Sequence, residues 1–285
     1  MPCEQKSTDQ RTHPMSTPAT TTFAAAVQVV QLTDSHIFAA PDKRLLGLDT
    51  LASLHAVIDQ VLEEVTPIDL VLATGDITQD GEEPAYQRFI DAMTRLPAPC
   101  HWIPGNHDDA ARMAELGAAH ELNRAWVDIG AWRIVMLDSS VPGSVAGHLD
   151  EEQLARLDEA LATAGERYLM VCLHHHPVAI GSAWMEPLGL DNSDQLFARL
   201  DADPRVRVVL WGHIHQTLDQ QRGHIRLLAS PSTCVQFAVG SADFATDAQP
   251  PGYRWLQLHG DGRVETAISR LPAGCFVPAD GASGY

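Results

Sequence analysis

The sequence predicts an α/β fold, with a parallel or mixed sheet carrying helices on its faces. Two observations predict it. Short apolar runs of strand length alternate with longer segments whose apolar residues recur at helical spacing, the pattern that successive βα units leave in a chain. The chain is also long enough, at 285 residues of which 45% are hydrophobic, to bury a sizeable core in one large domain. Residues 1–22, rich in Thr, Gln, Ser and Pro, are expected to form a disordered arm. Residues 23–270 are expected to form the domain and 271–285 a C-terminal tail.

Val27 to Leu32 is an apolar run and the expected first strand. The apolar Phe23 to Leu32 run is not expected to serve as a signal sequence, because cleavage after it would delete that strand. Leu51, Leu54, Ile58, Val61, Leu62 and Val65 recur at helical spacing and Pro67 stops them. Ile68 to Ala73 is the second strand. Glu82 to Leu96 is a helix, with Pro84 in its tolerant first turn. Cys100 to Ile103 is a strand and Ala110 to Leu116 a short helix. Trp132 to Leu137 is a strand, and Asp150 to Ala164 a helix with Leu154, Leu157 and Leu161 on one face. Arg167 to Leu173 is a strand, Val178 to Asn192 a loop, Ser193 to Leu200 a helix and Val206 to Trp211 a strand. Ile225 to Ala229, Val235 to Val239, Tyr253 to Leu258 and Val264 to Ile268 are later strands.

Five of these strands run into metal-ligand side chains. They lead to Thr33-Asp34-Ser35-His36, Gly75-Asp76, Pro104-Gly105-Asn106-His107-Asp108, His174-His175-His176 and Gly212-His213-Ile214-His215. Side chains at i and i+2 of a strand share a face, so Asp34 and His36 are expected to reach one ion. Each segment alone has a plainer explanation, a turn-capping Asp or a polar loop. Five in succession at strand ends, where α/β sheets bind ligands, are not explained that way. Imidazole, carboxylate and amide without thiolate suit Mn(II), Fe(II) or Zn(II) better than a structural zinc. The ligands are too many for one ion and fit two that share a carboxylate.

A formal charge of −18 argues against broad binding of nucleic acid or anionic membranes. No apolar run approaches the ~18 residues that a membrane span requires. The five cysteines, Cys3, Cys100, Cys172, Cys234 and Cys275, are scattered without a CxxC, which favours a reducing cytoplasm over a disulfide framework.

The strand-end segments resemble the calcineurin-like metallophosphoesterases in Asp34-x-His36, Gly75-Asp76, Gly105-Asn106-His107-Asp108, the His cluster before Pro177, and Gly212-His213-x-His215. Ala73 to Asp76, Leu173 to Pro177, Gly212 to Gln216, Pro231 to Phe237 and Pro251 to Arg254 look like the bacterial class III 3′,5′-cyclic AMP phosphodiesterases, from about Val27 to the end of the chain. The resemblance implies a four-layer α/β/β/α sandwich with two mixed sheets. It implies Asp34, His36, Asp76 and His215 around one ion, and Asp76, Asn106, His174 and His213 around the other, with Asp76 bridging. His174 is chosen from the triple His as the first residue past its strand; His175 or His176 can pack or line the pocket.

The implied activity is hydrolysis of 3′,5′-cyclic AMP to 5′-AMP by a hydroxide bridging two divalent ions, Fe(II) and/or Mn(II), or Zn(II). His36, Asp76, Asn106, His107 and His215 would contact substrate. His107 is the expected proton donor to the leaving 3′ oxygen, or else an electrostatic contact; Asp108 either orients His107 or closes the turn. Trp184 or Phe237 either stacks on the purine or packs. The expected protein is a monomer or homodimer. The alternative substrate is another phosphodiester, a 2′,3′-cyclic nucleotide or a glycerophosphodiester. A metallophosphoesterase fold kept as a protein-binding scaffold would be expected to lose metal ligands or the proton donor, and this chain keeps them.

Overall fold

The structure is a computed structural model and describes residues 25–279; the expected arm lies outside them. In chain order it forms β1 (Val27–Leu32), α1 (Thr50–Glu64), β2 (Leu70–Thr74), α2 (Glu83–Met93), β3 (Cys100–Ile103), α3 (Ala110–Ala119), β4 (Trp126–Ile129) and β5 (Trp132–Met136). There follow α4 (Glu151–Thr163), β6 (Tyr168–Cys172), α5 (Ser193–Leu200), β7 (Val206–Trp211), β8 (Leu218–Arg222), β9 (Ile225–Ala229), β10 (Gln236–Phe237), β11 (Thr246–Asp247), β12 (Gly252–Leu258) and β13 (Val264–Arg270). Three helices begin at an Asp whose carboxylate accepts a backbone N–H of the first turn: Asp49 from Ala52 (3.0 Å), Asp109 from Arg112 (3.1 Å) and Asp150 from Gln153 (2.9 Å). Such caps satisfy donors that the helix cannot pair itself.

The strands form a five-stranded sheet, β13-β12-β1-β2-β3, a six-stranded sheet, β4-β5-β6-β7-β9-β8, and the small pair β10-β11. Both large sheets are mixed. β1, β2 and β3 run parallel, as do β5, β6, β7 and β9, while β12, β13, β4 and β8 are antiparallel additions. Strand alternation gives each sheet two apolar faces. The inner faces meet in one core, where Val29, Leu70, Leu72 and Ile103 pack with Ile134, Met170, Val208 and Leu210. The outer face of the first sheet packs on α1 and α2 through Val30, Leu54, Ile58, Phe89 and Ile90. That of the second packs on α4 and α5 through Val171, Val209, Leu157 and Leu196. This is the expected α/β/β/α order.

β4, β8 and β11 have no counterpart among the expected strands. β8, Leu-Asp-Gln-Gln-Arg, is nearly all exposed. An edge strand with one neighbour can be polar throughout, so it carries no apolar signal. Beyond Arg270 the chain stays on the domain: Leu271 is buried, Phe276 packs on the first outer core, and the Ala279 N–H donates to the Leu46 carbonyl (2.9 Å).

A buried polar net joins the sheets just beneath the ligand-bearing ends. Gln31 Nε2 donates to Thr74 Oγ1 (2.8 Å) and to the Trp211 carbonyl (3.2 Å), and Ser230 Oγ donates to Gln31 Oε1. Arg254 is 2% exposed and donates to Ser230 Oγ (3.0 Å), Thr266 Oγ1 (3.1 Å) and the carbonyls of Ala229 (2.7 Å) and Leu218 (3.3 Å). Burial pushes its guanidinium down to about 10. Arg254→Ala would leave buried acceptors on both sheets unpaired. We expect a stability loss of about 3 kcal/mol, since each hydrogen bond to a charged group contributes roughly 1.5–3 kcal/mol, read as a lowered urea midpoint.

Candidate metal centre

The five ligand turns leave the carboxyl ends of β1, β2, β3, β6 and β7. Parallel pairing levels those ends: Leu32 lies opposite Ala73, Thr74 opposite Ile103, and Cys172 opposite Leu210. The turns then continue the ladders. The N–H of Asp34 donates to the Gly75 carbonyl (3.0 Å), that of His36 to Asp76 (2.9 Å), and that of Gly212 to His174 (3.2 Å).

Asp34 and His36 meet by a different device from strand alternation. Both lie past the end of β1, at φ 55° and 46°. Asp76 (47°), His213 (65°) and His215 (49°) share this left-handed conformation, which is costly for residues with a Cβ and collects at functional sites. Close approach does the rest. A Cβ on Gly75, itself at φ +96°, would fall 2.3 Å from His174 Nδ1, and one on Gly105 would fall 2.2 Å from Asp76 Oδ1. Only glycine lets these turns nest so tightly.

The predicted ligands converge. Asp34, His36 and His215 each offer an atom within 4.8 Å of the others; so do Asp34, Asp76 and His174, and so do His36, Asp76 and His107. All but His107 are buried. His215 Nε2 lies 3.2 Å from His36 Nε2 and 3.4 Å from Asp34 Oδ1. Asp76 Oδ2 lies 3.2 Å from His174 Nε2 and 3.7 Å from His36 Nε2, so one carboxylate faces both halves of the cluster. Backbone carbonyls aim the imidazoles. His174 Nδ1 bonds to the Thr74 carbonyl (2.8 Å), His215 Nδ1 to Val235 (2.7 Å) and His213 Nε2 to Leu188 (3.1 Å). A carbonyl accepts only from N–H, so the other ring nitrogen keeps its lone pair for a cation.

These residues fit a pair of divalent ions. Asn106 Oδ1 is buried without a hydrogen bond, although a buried polar atom ordinarily has a partner. Burial drives the His36 and His213 pKa values well down, holding both rings in the neutral, ligating form. Burial opposes charge on His174 as well, yet the Asp76 carboxylate outweighs it and raises His174 to about 9. The site demands positive charge, and there a proton stands in for it.

His107 is half-buried beside Asn106. Its N–H donates to Asp76 Oδ1 (2.9 Å), and its ring meets His36 edge-on with centroids 5.0 Å apart. Asp108 bonds to the backbone and hydroxyls of the neighbouring segments. Its Oδ2 accepts from the N–H groups of Gly105 (2.9 Å) and Ile77 (3.0 Å); its Oδ1 accepts from the Thr78 N–H (3.0 Å), the Thr78 hydroxyl (3.2 Å) and the Tyr86 hydroxyl (3.1 Å). Burial, reinforced by Asp76, pushes its carboxyl up to about 6. These bonds clip the Asp76 turn to the Asn106 turn.

In the triple His, His175 engages both ring nitrogens, with Ser139 Oγ (2.8 Å) and the Val145 carbonyl (3.1 Å). His176 stacks on His213. Phe237 is buried and lies flat on His215, with centroids 4.1 Å apart and planes 5° from parallel; Trp184 meets Phe237 edge-on. His101 and His148 bond to the Glu121 carbonyl and Asp191, and His259 Nε2 lies 3.0 Å from Glu265 Oε1. Sequence reasoning did not pick out Ser139, whose Oγ also accepts the N–H groups of His174 and His175 (both 3.3 Å). Its one signal was its place after the β5 strand. The orienting carbonyls of Thr74, Leu188 and Val235 leave no signal at all, since every residue has a carbonyl.

The description "Calcineurin-like phosphoesterase" belongs to the family whose profile matches residues 27–217. A Pseudomonas aeruginosa protein named 3′,5′-cyclic adenosine monophosphate phosphodiesterase CpdA is 52% identical over 270 residues, covering 95% of this chain and 98% of that one. The Escherichia coli K12 protein of the same name is 41% identical over 263 residues, 92% of this chain and 96% of that one. In fold, the chain is similar to the crystal structure of a dimetal phosphatase from Danio rerio, with a TM-score of 0.60 and 14% identity over 90% of this chain and 100% of that one. The matched span opens at β1 and closes just past His215, enclosing every ligand turn described above, and the chain belongs to the calcineurin-like phosphoesterase family.

Proposed function

We propose that the protein is a phosphodiesterase that hydrolyses 3′,5′-cyclic AMP to 5′-AMP. The observation that carries the substrate is the 52% identity, across nearly the full length of both chains, to a relative named for that reaction. The family match ends at residue 217, whereas this likeness runs on through the later strands and loops, which lie outside the shared ligand turns.

Asp34, His36, Asp76 and His215 would hold one divalent ion, and Asp76, Asn106, His174 and His213 the other. When bound, such ions neutralise charge on the phosphodiester and activate water near neutral pH. Their donors, carboxylate, imidazole and amide, favour Fe(II) or Mn(II), with Zn(II) compatible. The chain supplies the rest. The left-handed turns and carbonyl-aimed rings set the site before substrate arrives. Water adds its oxygen to phosphorus as the P–O3′ bond breaks; the proton it gives up balances the one that the ribose 3′ oxygen takes on leaving. His107, at the half-buried rim and held by its N–H on Asp76, delivers it. Among the described residues no helix is long and apolar enough to cross a membrane; their four cysteines are free, which supports a reducing compartment such as the cytoplasm.

The test is a substrate panel after reconstitution with Fe(II), Mn(II) or Zn(II). We expect kcat/KM for 3′,5′-cyclic AMP to exceed that for 2′,3′-cyclic AMP and for glycerophosphodiesters by about tenfold or more, the scale at which a hydrogen-bonding site separates substrates. Preference for either competitor would replace this substrate assignment.

A further inference from the structure

Past the end of β5, Ser139 carries a hydroxyl whose bonding capacity is used up. The residue is fully buried. Its Oγ lies 2.8 Å from His175 Nδ1 and accepts the backbone N–H groups of His174 and His175 (both 3.3 Å). The far side of the His175 ring sets the direction of the first bond. His175 Nε2 lies 3.1 Å from the Val145 carbonyl, which accepts only from N–H. A ring protonated at both nitrogens would require Oγ to accept three hydrogens with two lone pairs. The ring therefore keeps a lone pair on Nδ1, and the Ser139 hydroxyl donates to it. One proton and two lone pairs are all engaged.

The ring held in this way touches both neighbouring imidazoles. It meets His174 edge-on, with centroids 5.0 Å apart, and lies 4.7 Å from the His213 ring. The loop after Ser139 closes on it: a Cβ on Gly147 would fall 2.3 Å from His175 Cγ. His175 offers an atom within 4.8 Å of those of His174 and His213, as a third ligand would. Both its nitrogens are bonded elsewhere, which leaves it no lone pair for a cation.

Resting on the two-ion reading above, we propose that Ser139 and His175 are a positioning pair for the ion that His174 and His213 would hold. Ser139 fixes the backbone at His174 and the orientation of the His175 ring. That ring in turn fixes the angle of the two imidazoles it touches. Asp34, His36 and His215 are not part of this unit.

Metal-free protein is titrated with Mn(II), and free Mn(II) is followed by its EPR signal. The wild type is expected to bind in two steps, and His174→Ala marks one of them by abolishing or weakening it. In Ser139→Ala the marked step should weaken by about 10–100-fold, the usual effect of removing a residue that orients a ligand, with the other step within about threefold. In the His174→Ala background, Ser139→Ala should change binding by less than about threefold, because the imidazole it positioned is gone. His175→Gln should keep both steps and weaken the marked one. Leu157→Ala, a buried change on α4, should lower the urea midpoint and leave both steps in place. Ser139→Ala binding that matches wild type, equal weakening of both steps, a further shift in the His174→Ala background, or the same shift from Leu157→Ala overturns the proposal. Complete loss of a step in His175→Gln also overturns it, by making His175 a ligand. A wild type that binds one Mn(II) or none overturns the two-ion reading and the proposal with it.

Discussion

Asp76→Ala is expected to lose both bound ions, or most of the second, and with them nearly all activity. One carboxylate oxygen of Asp76 lies 3.2 Å from His174 Nε2 and 3.7 Å from His36 Nε2, while the other accepts the His107 N–H at 2.9 Å. Removing it takes negative charge from between the two halves of the cluster and releases the Asn106-His107 turn. Charge stabilisation by bound metal contributes several kcal/mol to such reactions, so the drop in kcat/KM should be on the order of 10³-fold or more, at ~1.4 kcal/mol per tenfold. Metal content per chain, measured beside activity, is decisive. A variant that keeps two ions and full turnover would refute the bridging role.

His107→Ala is expected to separate chemistry from metal binding. A positioned acid contributes typically ~10²–10⁴-fold in rate, so kcat should fall by about that factor while both ions remain. The structure sharpens this test, because His107 offers an atom within 4.8 Å of those of His36 and Asp76. If the variant loses an ion, His107 is a ligand rather than the proton donor. Changing the leaving group adds a second readout. An ester whose leaving oxygen needs no proton should be cleaved by His107→Ala with a much smaller deficit than cyclic AMP, whose alkoxide does.

Much of the fold was legible because burial on both faces writes itself into sequence. β3, β7, β9 and α5 have the bounds that their apolar runs predict. Of the strands that escaped notice, β8 sits at an edge and β11 in the small pair, where one neighbour and an exposed face remove the apolar signal; β4, Trp126–Ile129, is apolar except for Asp128, which breaks its short run. The ligand set was legible for another reason. Asp, His and Asn after five strand ends have no packing explanation, and parallel strands must present their carboxyl ends on one side. Asp108 was legible only as an alternative. Its five donors come from three separate segments, and nothing in Gly-Asn-His-Asp says which way its carboxylate turns.

The chain's residue order determined the class of fold, the strand ends that carry ligands and the donor types they offer, because periodicity and side-chain chemistry are local properties. Tertiary structure alone decided which imidazole nitrogen faces the cluster, since that depends on carbonyls of Thr74, Leu188 and Val235 contributed from elsewhere in the chain. It also decided that Asp34 and His36 meet through left-handed backbone rather than strand alternation, and that Phe237 lies flat on His215. Each of these is a long-range contact, fixed when the two sheets pack and invisible until they do.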